Sequence, residues 1–300
     1  MVSGGQKYHN PWIPAVALDL LDVESGSILD VGGGAAPYWK SSHVIDIQPY
    51  DPERLRDNAW GRGAKTADRR LQTADLGMLE GGRRTKVGLQ ATDGGWGQKT
   101  EIGEEPGTKN QEPAERFWKP EDYTQFDLCS GERWPFADKV FDLGLSSHCL
   151  EDIRDPVQVV KEMGRVCKRV LIVCPSRLLE QMRGVDHPRY CGMPHHLWMV
   201  SEADGVLEFR RKTQIMEFPG MHLSCPPGKI PATEAGSMYY YSAMPVSREV
   251  MHFDTQEDKR DYAAFVAEHA NLKGVLETDV RWRDWRRWVW YFRQKWFYAV

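Results

Sequence analysis

This chain is short of several things that would announce a function. Its six cysteines (129, 149, 167, 174, 191 and 225) form no Cys-x-x-Cys pair and sit largely among apolar residues, which argues against a disulfide framework or a zinc knuckle and for reduced thiols. No run approaches the roughly 20 apolar residues of a spanning helix, and a charged-then-apolar leader is lacking, so a soluble, cytoplasmic protein is expected. A basic excess is missing too: a net charge of -4 provides no global attraction to a polyanion, and no nucleic-acid partner is expected. What remains is 300 residues with 41% hydrophobic content, enough for one sizeable α/β core with insertions.

Two runs carry chemistry. In Ile28-Leu29-Asp30-Val31-Gly32-Gly33-Gly34, a short apolar segment ends at a carboxylate and then three glycines, where backbone can turn tightly and approach a ligand without Cβ obstruction. The segment His43-Val44-Ile45-Asp46-Ile47 follows as a second buried strand, and an acid at its end can accept both hydroxyls of a ribose. The other run, Trp134-Pro135-Phe136 through Phe141-Asp142-Leu143 to Ser146-Ser147-His148-Cys149-Leu150-Glu151, reads as a lead-in and a strand that delivers His148 to the carboxyl edge of an open sheet. A dinucleotide loop would want Gly-x-Gly-x-x-Gly, and position 37 is proline, which disfavours a nicotinamide-dependent oxidoreductase.

As a set, these runs resemble the class I S-adenosylmethionine-dependent methyltransferases, in particular the small-molecule group known as methyltransferase type 11. Asp30, Gly32 and Gly34 fall on that family's first motif, Asp46 on the end of its second strand, and Phe126-Asp127-Leu128 on its third motif. Trp134-Pro135-Phe136-Ala137-Asp138, Leu150-Glu151, Asp155-Pro156, Glu162, Arg165-Val166 and Val170–Pro175 continue the pattern. The resemblance covers roughly residues 26 to 60 and 117 to 210. It implies a Rossmann-like, doubly wound, mostly parallel seven-stranded sheet with helices on both faces, and S-adenosyl-L-methionine as cofactor. It implies as cofactor-binding residues Asp30, Gly32, Gly33, Gly34, Asp46, Ile47, Asp127, Leu128 and Ser146. The chain departs from the family at Asp152, where histidine is common, at Ala36-Pro37, and at Lys168-Arg169, which replaces a Lys-Pro-Gly-Gly turn.

Methyl transfer from a sulfonium needs alignment more than acid–base work, and a base near neutral pKa helps when the acceptor is a hydroxyl or an ammonium. The catalytic candidates are His148, His187 and His195, the last two from the loop after the fifth strand; His196, in a segment common in the family, is read as architectural. No acid is spaced with these histidines in a ligand pattern, and no metal is expected. The expected reaction moves a methyl group to the O, N or C of a small molecule. The alternatives are a catalytically silent methyltransferase-like binding or scaffold protein, and an enzyme acting on lipid.

Along the chain, a helix is expected over 11–23 and a strand over 27–31, within a domain of residues 1–250. Residues 57–115, rich in Gly, Lys, Arg, Glu, Thr and Gln, cannot bury enough apolar area to offset ordering entropy. They read as an irregular insertion with a short helix near 66–80, either a surface decoration or a lid. Further expectations are a helix over Ser201–Glu208 capped by Ser201, last strands at 211–218 and 237–246, and a polar helix over 255–271. Residues 251–300 form a C-terminal helical extension in this reading. Its last twenty residues hold nine aromatics and six Arg/Lys against one Asp, a pattern open to a core plug, a homodimer seam, base stacking or peripheral membrane contact through 281–300.

Overall fold

The computed structural model describes residues 13–23, 26–34, 36–59, 118–251 and 254–278. These fall in one of the two units into which the chain divides, residues 1–62 together with 117–300. Residues 60–115 of the expected insertion, with the helix expected near 66–80, and the aromatic segment 281–300 lie outside the described residues.

In chain order, helix α1 (Ala15–Val23) precedes β1 (Ile28–Val31), β2 (His43–Asp46) and α2 (Pro52–Asn58). Strands β3 (Tyr123–Gln125) and β4 (Phe141–Ser147), helix α3 (Pro156–Val166) and strand β5 (Cys167–Pro175) follow. Beyond them lie α4 (Arg177–Glu180), β6 (Met182–Arg183), β7 (Trp198–Ala203), β8 (Val206–Arg211), β9 (Leu223–Ser224), β10 (Lys229–Pro231) and α5 (Thr233–Gly236). The last elements are β11 (Ser237–Ser242), β12 (Val246–Val250), α6 (Thr255–Glu268) and β13 (Leu276–Thr278).

The central sheet runs β11-β5-β4-β1-β2-β3, parallel throughout except for antiparallel β11. It is the expected mixed α/β, mostly parallel architecture, with six strands among the described residues where seven were expected. Its strands read as continuous apolar runs because both faces are covered. Along β5, Val170, Ile172 and Cys174 join the core that includes Val159, Val160 and Met163 of α3, while Leu171 and Val173 join Ala17 and Leu21 of α1 on the other face. This is the period of two expected of a strand. Helix α3 starts where its chemistry predicts: Pro156 opens the first turn and Asp155 accepts from Gln158 N–H at 3.0 Å.

Two local expectations are corrected. Residues 201–208 form a hairpin, β7 and β8, not a helix. Asp204 and Gly205 both adopt positive φ (53° and 79°), the requirement of a two-residue type I′ turn, and Trp198, Val200, Leu207 and Phe209 are buried in strand alternation. Ser201 therefore sits mid-strand. Residues 214–217 make a short 3₁₀ turn, so the strand expected at 211–218 is instead β8 just upstream; β8 also pairs with β12 in a separate three-stranded sheet. Tyr240 of β11 ties the two sheets together, donating its hydroxyl to Gly205 O at 3.0 Å. Strand β11 and helix α6 match expectation, and α1 begins at Ala15, after Pro14.

One buried ion pair anchors α3 to the lead-in of β4. Glu162 accepts Trp134 N–H at 2.8 Å and pairs with Arg165 at 2.6 Å, while Arg165 also donates to the carbonyls of Trp134 and Phe136. Replacing Glu162 by Ala leaves Arg165 and the Trp134 amide short of an acceptor, and is expected to cost about 3 kcal/mol of unfolding free energy in urea denaturation. Hydrogen bonding to Arg165 holds the Glu162 carboxyl below its usual range. Its contribution is therefore full above the ordinary glutamate value of about 4.3 and is lost as pH falls through the lower folded value, a dependence absent from Glu162→Ala.

Candidate functional site

All parallel strands end on one edge, and the sequence-chosen residues gather there. After β1 the chain turns through Gly32 at φ 77°, and Gly32 N–H bonds Ile45 O of β2 at 2.9 Å. The three glycines are needed for contact with their neighbours: a Cβ at Gly32 would overlap Cys149 Sγ, one at Gly33 the Asp30 carboxylate, and one at Gly34 the Asp46 carboxylate. Asp46, buried at the end of β2, accepts Gly34 N–H at 3.0 Å and Gln48 N–H at 2.7 Å, one on each oxygen. Each carboxylate oxygen has room for a second donor, such as a sugar hydroxyl. Ile47 beside it is exposed despite being apolar. After β3, Asp127 is exposed and bonds Cys129 N–H at 2.9 Å, Leu128 is buried, and the buried Ser146 hydroxyl of β4 has no hydrogen-bond partner among the described residues. Acids, a bare glycine turn, an exposed aliphatic side chain and an orphaned hydroxyl make a donor and acceptor set that fits an adenosyl group.

The chain then leaves β4 through His148, a non-glycine residue at φ 52°, an uncommon backbone state. His148 lines a cavity of about 280 Å³ together with Glu151, Asp152, Pro175, Leu179, Met193, His195, His196 and Gly236. His148 Nδ1 lies 3.5 Å from Glu151 Oε1, and its Nε2 has no partner among the described residues. Among the described residues the buried Glu151 carboxylate has no conventional hydrogen bond; the weakly donating Cys174 thiol faces it, and burial together with Glu151 drives that thiol well above its usual pKa.

His196 is the most networked histidine. Its Nδ1 meets buried Glu180 at 2.6 Å, its Nε2 lies 3.9 Å from Asp152 Oδ1, and Lys212 Nζ pairs with the other Glu180 oxygen at 2.6 Å. Burial alone would depress its pKa, but the hydrogen bond and charge of Glu180, with Glu151 and Asp152, carry it above the ordinary value. His195 stands edge-on to His196, ring centroids 4.4 Å apart. His187 does not line this cavity; its ring packs on Tyr190 and its Nδ1 accepts Arg189 N–H at 3.2 Å. The sequence places the segment 146–151, with Glu151 at its end, toward the acceptor, but it does not single out Asp152 as a site residue, reads His196 as architectural, and gives no signal for Glu180 or Lys212, which reach His196 only through the folding of 176–212.

Asp30 itself is fully buried, accepting Tyr38 N–H at 2.6 Å. Desolvation raises its pKa to about 7; the Tyr38 bond opposes this and the nearby Asp46 charge adds to it. Between the unfolded value of about 3.9 and the folded one, the native state holds a proton that the unfolded chain has released, so stability falls as pH rises through that window. Asp30→Asn, which keeps the acceptor for Tyr38, is expected to flatten that fall between about pH 4 and 7 in denaturation curves taken against the parent.

Comparison with known proteins bears on the part of the chain that follows β2. Residues 99–172 match the family model described as "Methyltransferase domain". No curated protein matches the chain. Among solved structures, the chain is similar to the YcgJ protein of Bacillus subtilis, at 15% identity over 54% of this chain and 52% of that one, TM-score 0.26. It is similar to an S-adenosylmethionine-dependent methyltransferase of Mesorhizobium loti, at 11% identity over 66% and 63%, TM-score 0.27. It is also similar to a chain of the Haloferax volcanii complex between the Trm112 methyltransferase activator and a methyltransferase, at 12% identity over 79% and 89%, TM-score 0.30. The alignment thus spans less than two thirds of the first two proteins, and superpositions this loose carry no argument about activity. A parallel sheet in the order β3-β2-β1-β4-β5, an acid-and-glycine turn after its first strand, and a methyltransferase-domain match that ends within β5 are features this chain has in common with the class I S-adenosylmethionine-dependent methyltransferases.

Proposed function

We propose that the chain is an active S-adenosylmethionine-dependent methyltransferase that methylates a small-molecule acceptor held in the His148–His196 cavity. The observation that supports it is a close approach: the glycine turn packs against Cys149, whose chain neighbour His148 lines the cavity. When bound, S-adenosylmethionine supplies a methyl carbon already activated on a sulfonium.

In this reading Asp46 accepts the ribose hydroxyls, Ile47 covers the adenine, Asp127 faces its amino group beside Leu128, and Gly32, Gly33 and Gly34 let backbone approach the methionine end. Asp30 holds the turn by its bond to Tyr38 N–H, and Ser146 offers its unpartnered hydroxyl from below. Glu151 orients His148 so that Nδ1 carries the proton and Nε2 is a free acceptor, able to take a proton from an acceptor hydroxyl or ammonium. Cys149 is unsuited to nucleophilic work, since burial, with Glu151 and the neighbouring aspartates, pushes its thiol well above the usual range. A cavity of about 280 Å³ suits a small acceptor or the reacting end of a larger one.

Titration calorimetry with S-adenosylhomocysteine tests the first half. The parent binds, and Asp46→Asn weakens binding by about tenfold or more, the value of hydrogen bonds to a charged group; a parent that shows no heat of binding removes the claim. For the second half, single-turnover transfer of a labelled methyl group, across a panel of hydroxyl and amine acceptors, is expected to slow about 100-fold in His148→Ala and less in Glu151→Gln. Rates equal to the parent in both would leave alignment alone as the source of rate.

A further inference from the structure

Asp152, His195 and His196 each offer a ligand atom, and these atoms all lie within 4.8 Å of one another on the wall of the cavity. We propose that they bind a first-row divalent cation, zinc foremost. In a tetrahedral site, bonds of about 2.0–2.2 Å to nitrogen and oxygen set two ligands of one ion roughly 3.3–3.6 Å apart, so the cluster closes on a cation with side-chain shifts of about an ångström. His195 and Asp152 are exposed and free to make that shift. Two imidazoles with one carboxylate suit zinc and its first-row neighbours, whereas calcium and magnesium favour oxygen throughout.

Two further observations point to a ligand. The first is how His196 is held. Glu180 is fully buried and its charge is answered by Lys212 Nζ at 2.6 Å, so His196 need not be cationic to satisfy it. The 2.6 Å bond from His196 Nδ1 to Glu180 Oε1 places the proton on Nδ1 and leaves the Nε2 lone pair on the side of Asp152. A carboxylate behind the far nitrogen is the arrangement that orients a metal-binding imidazole. The second is Glu151: buried to 1% exposure on the same cavity, both of its oxygens lack a conventional hydrogen bond, and Asp152 adds a second negative charge beside it. A divalent cation supplies the positive charge that this pair of acids lacks.

Three protein ligands leave the remaining coordination positions facing the cavity, as in catalytic rather than structural sites. The ion's role there rests on the methyl-transfer reading: it would bind the oxygen or nitrogen of the acceptor and ease loss of its proton, which passes to His148 Nε2. Metal binding itself does not depend on that reading.

The test uses full-length protein without a histidine tag, stripped with chelator and then titrated with Zn²⁺ against a chromophoric chelator. One equivalent is expected to bind. Asp152→Asn and His195→Ala, both at exposed positions and checked for parental circular dichroism, are expected to weaken binding by at least about tenfold, with His187→Ala unchanged. With Co²⁺ in place of Zn²⁺, visible d–d absorption is expected without a thiolate-to-cobalt charge-transfer band. Failure to retain Zn²⁺, equal retention by both variants, or a thiolate band that puts the ion on cysteine would each overturn the assignment. S-adenosylhomocysteine binding on the same samples separates the two claims: its loss with zinc retained defeats the methyltransferase reading alone, and its presence without zinc defeats the cation site alone.

Discussion

The close approach of the turn after β1 to the ends of β2 and β4 is the contact on which the rest of this molecule depends. Asp30 and Asp46 sit beside that turn as buried carboxylates that accept backbone N–H groups, Tyr38 to the first, Gly34 and Gln48 to the second. A side chain at 32, 33 or 34 would collide with Cys149 or with one of the two acids. Glycine there is the condition for bringing three strand ends together. The result is an edge where two buried acids, an exposed aliphatic side chain and several amides converge.

The second organising fact is electrostatic. On the far side of Cys149 the chain buries Glu151 and Glu180 and sets the exposed Asp152 near them, and answers these acids with Lys212 and histidines instead of with arginine. Burying carboxylates is costly unless they are paired. Glu180 is fully paired, by Lys212 and His196; Glu151 and Asp152 are not. Such an imbalance is the usual mark of a place that expects a proton, a cation or a substrate. Glu162, by contrast, sits in a closed set of bonds with Arg165 and the Trp134 amide.

Much of this was legible in one dimension, and the limits of that legibility have physical causes. The strands of the parallel sheet were readable because burial on both faces forces continuous apolar runs, and the start of α3 because Asp155-Pro156 satisfies a helix N-terminus by itself. The hairpin at 198–211 was misread as a helix although Asp204-Gly205, the dipeptide that favours a type I′ turn, lay in plain view; a serine competent to cap a helix outweighed it, and only the pairing of Trp198 through Ala203 with Val206 through Arg211 decided the matter.

The acid-and-glycine turn, Asp46 and the delivery of His148 to the sheet edge were determined by sequence alone, because each depends on residues a few positions apart and on the parallel pairing that apolar runs dictate. The company His148 keeps was decided by tertiary structure. His195 and His196 arrive on the chain between β5 and β7, Glu180 sits on α4 and Lys212 follows β8, and His187, which the sequence ranked beside them, turns instead onto Tyr190. Nothing local distinguishes these histidines. Their roles separate only when the segment folds back over the sheet edge, since a hydrogen bond or a ligand set is fixed by distance in space and not by spacing along the chain.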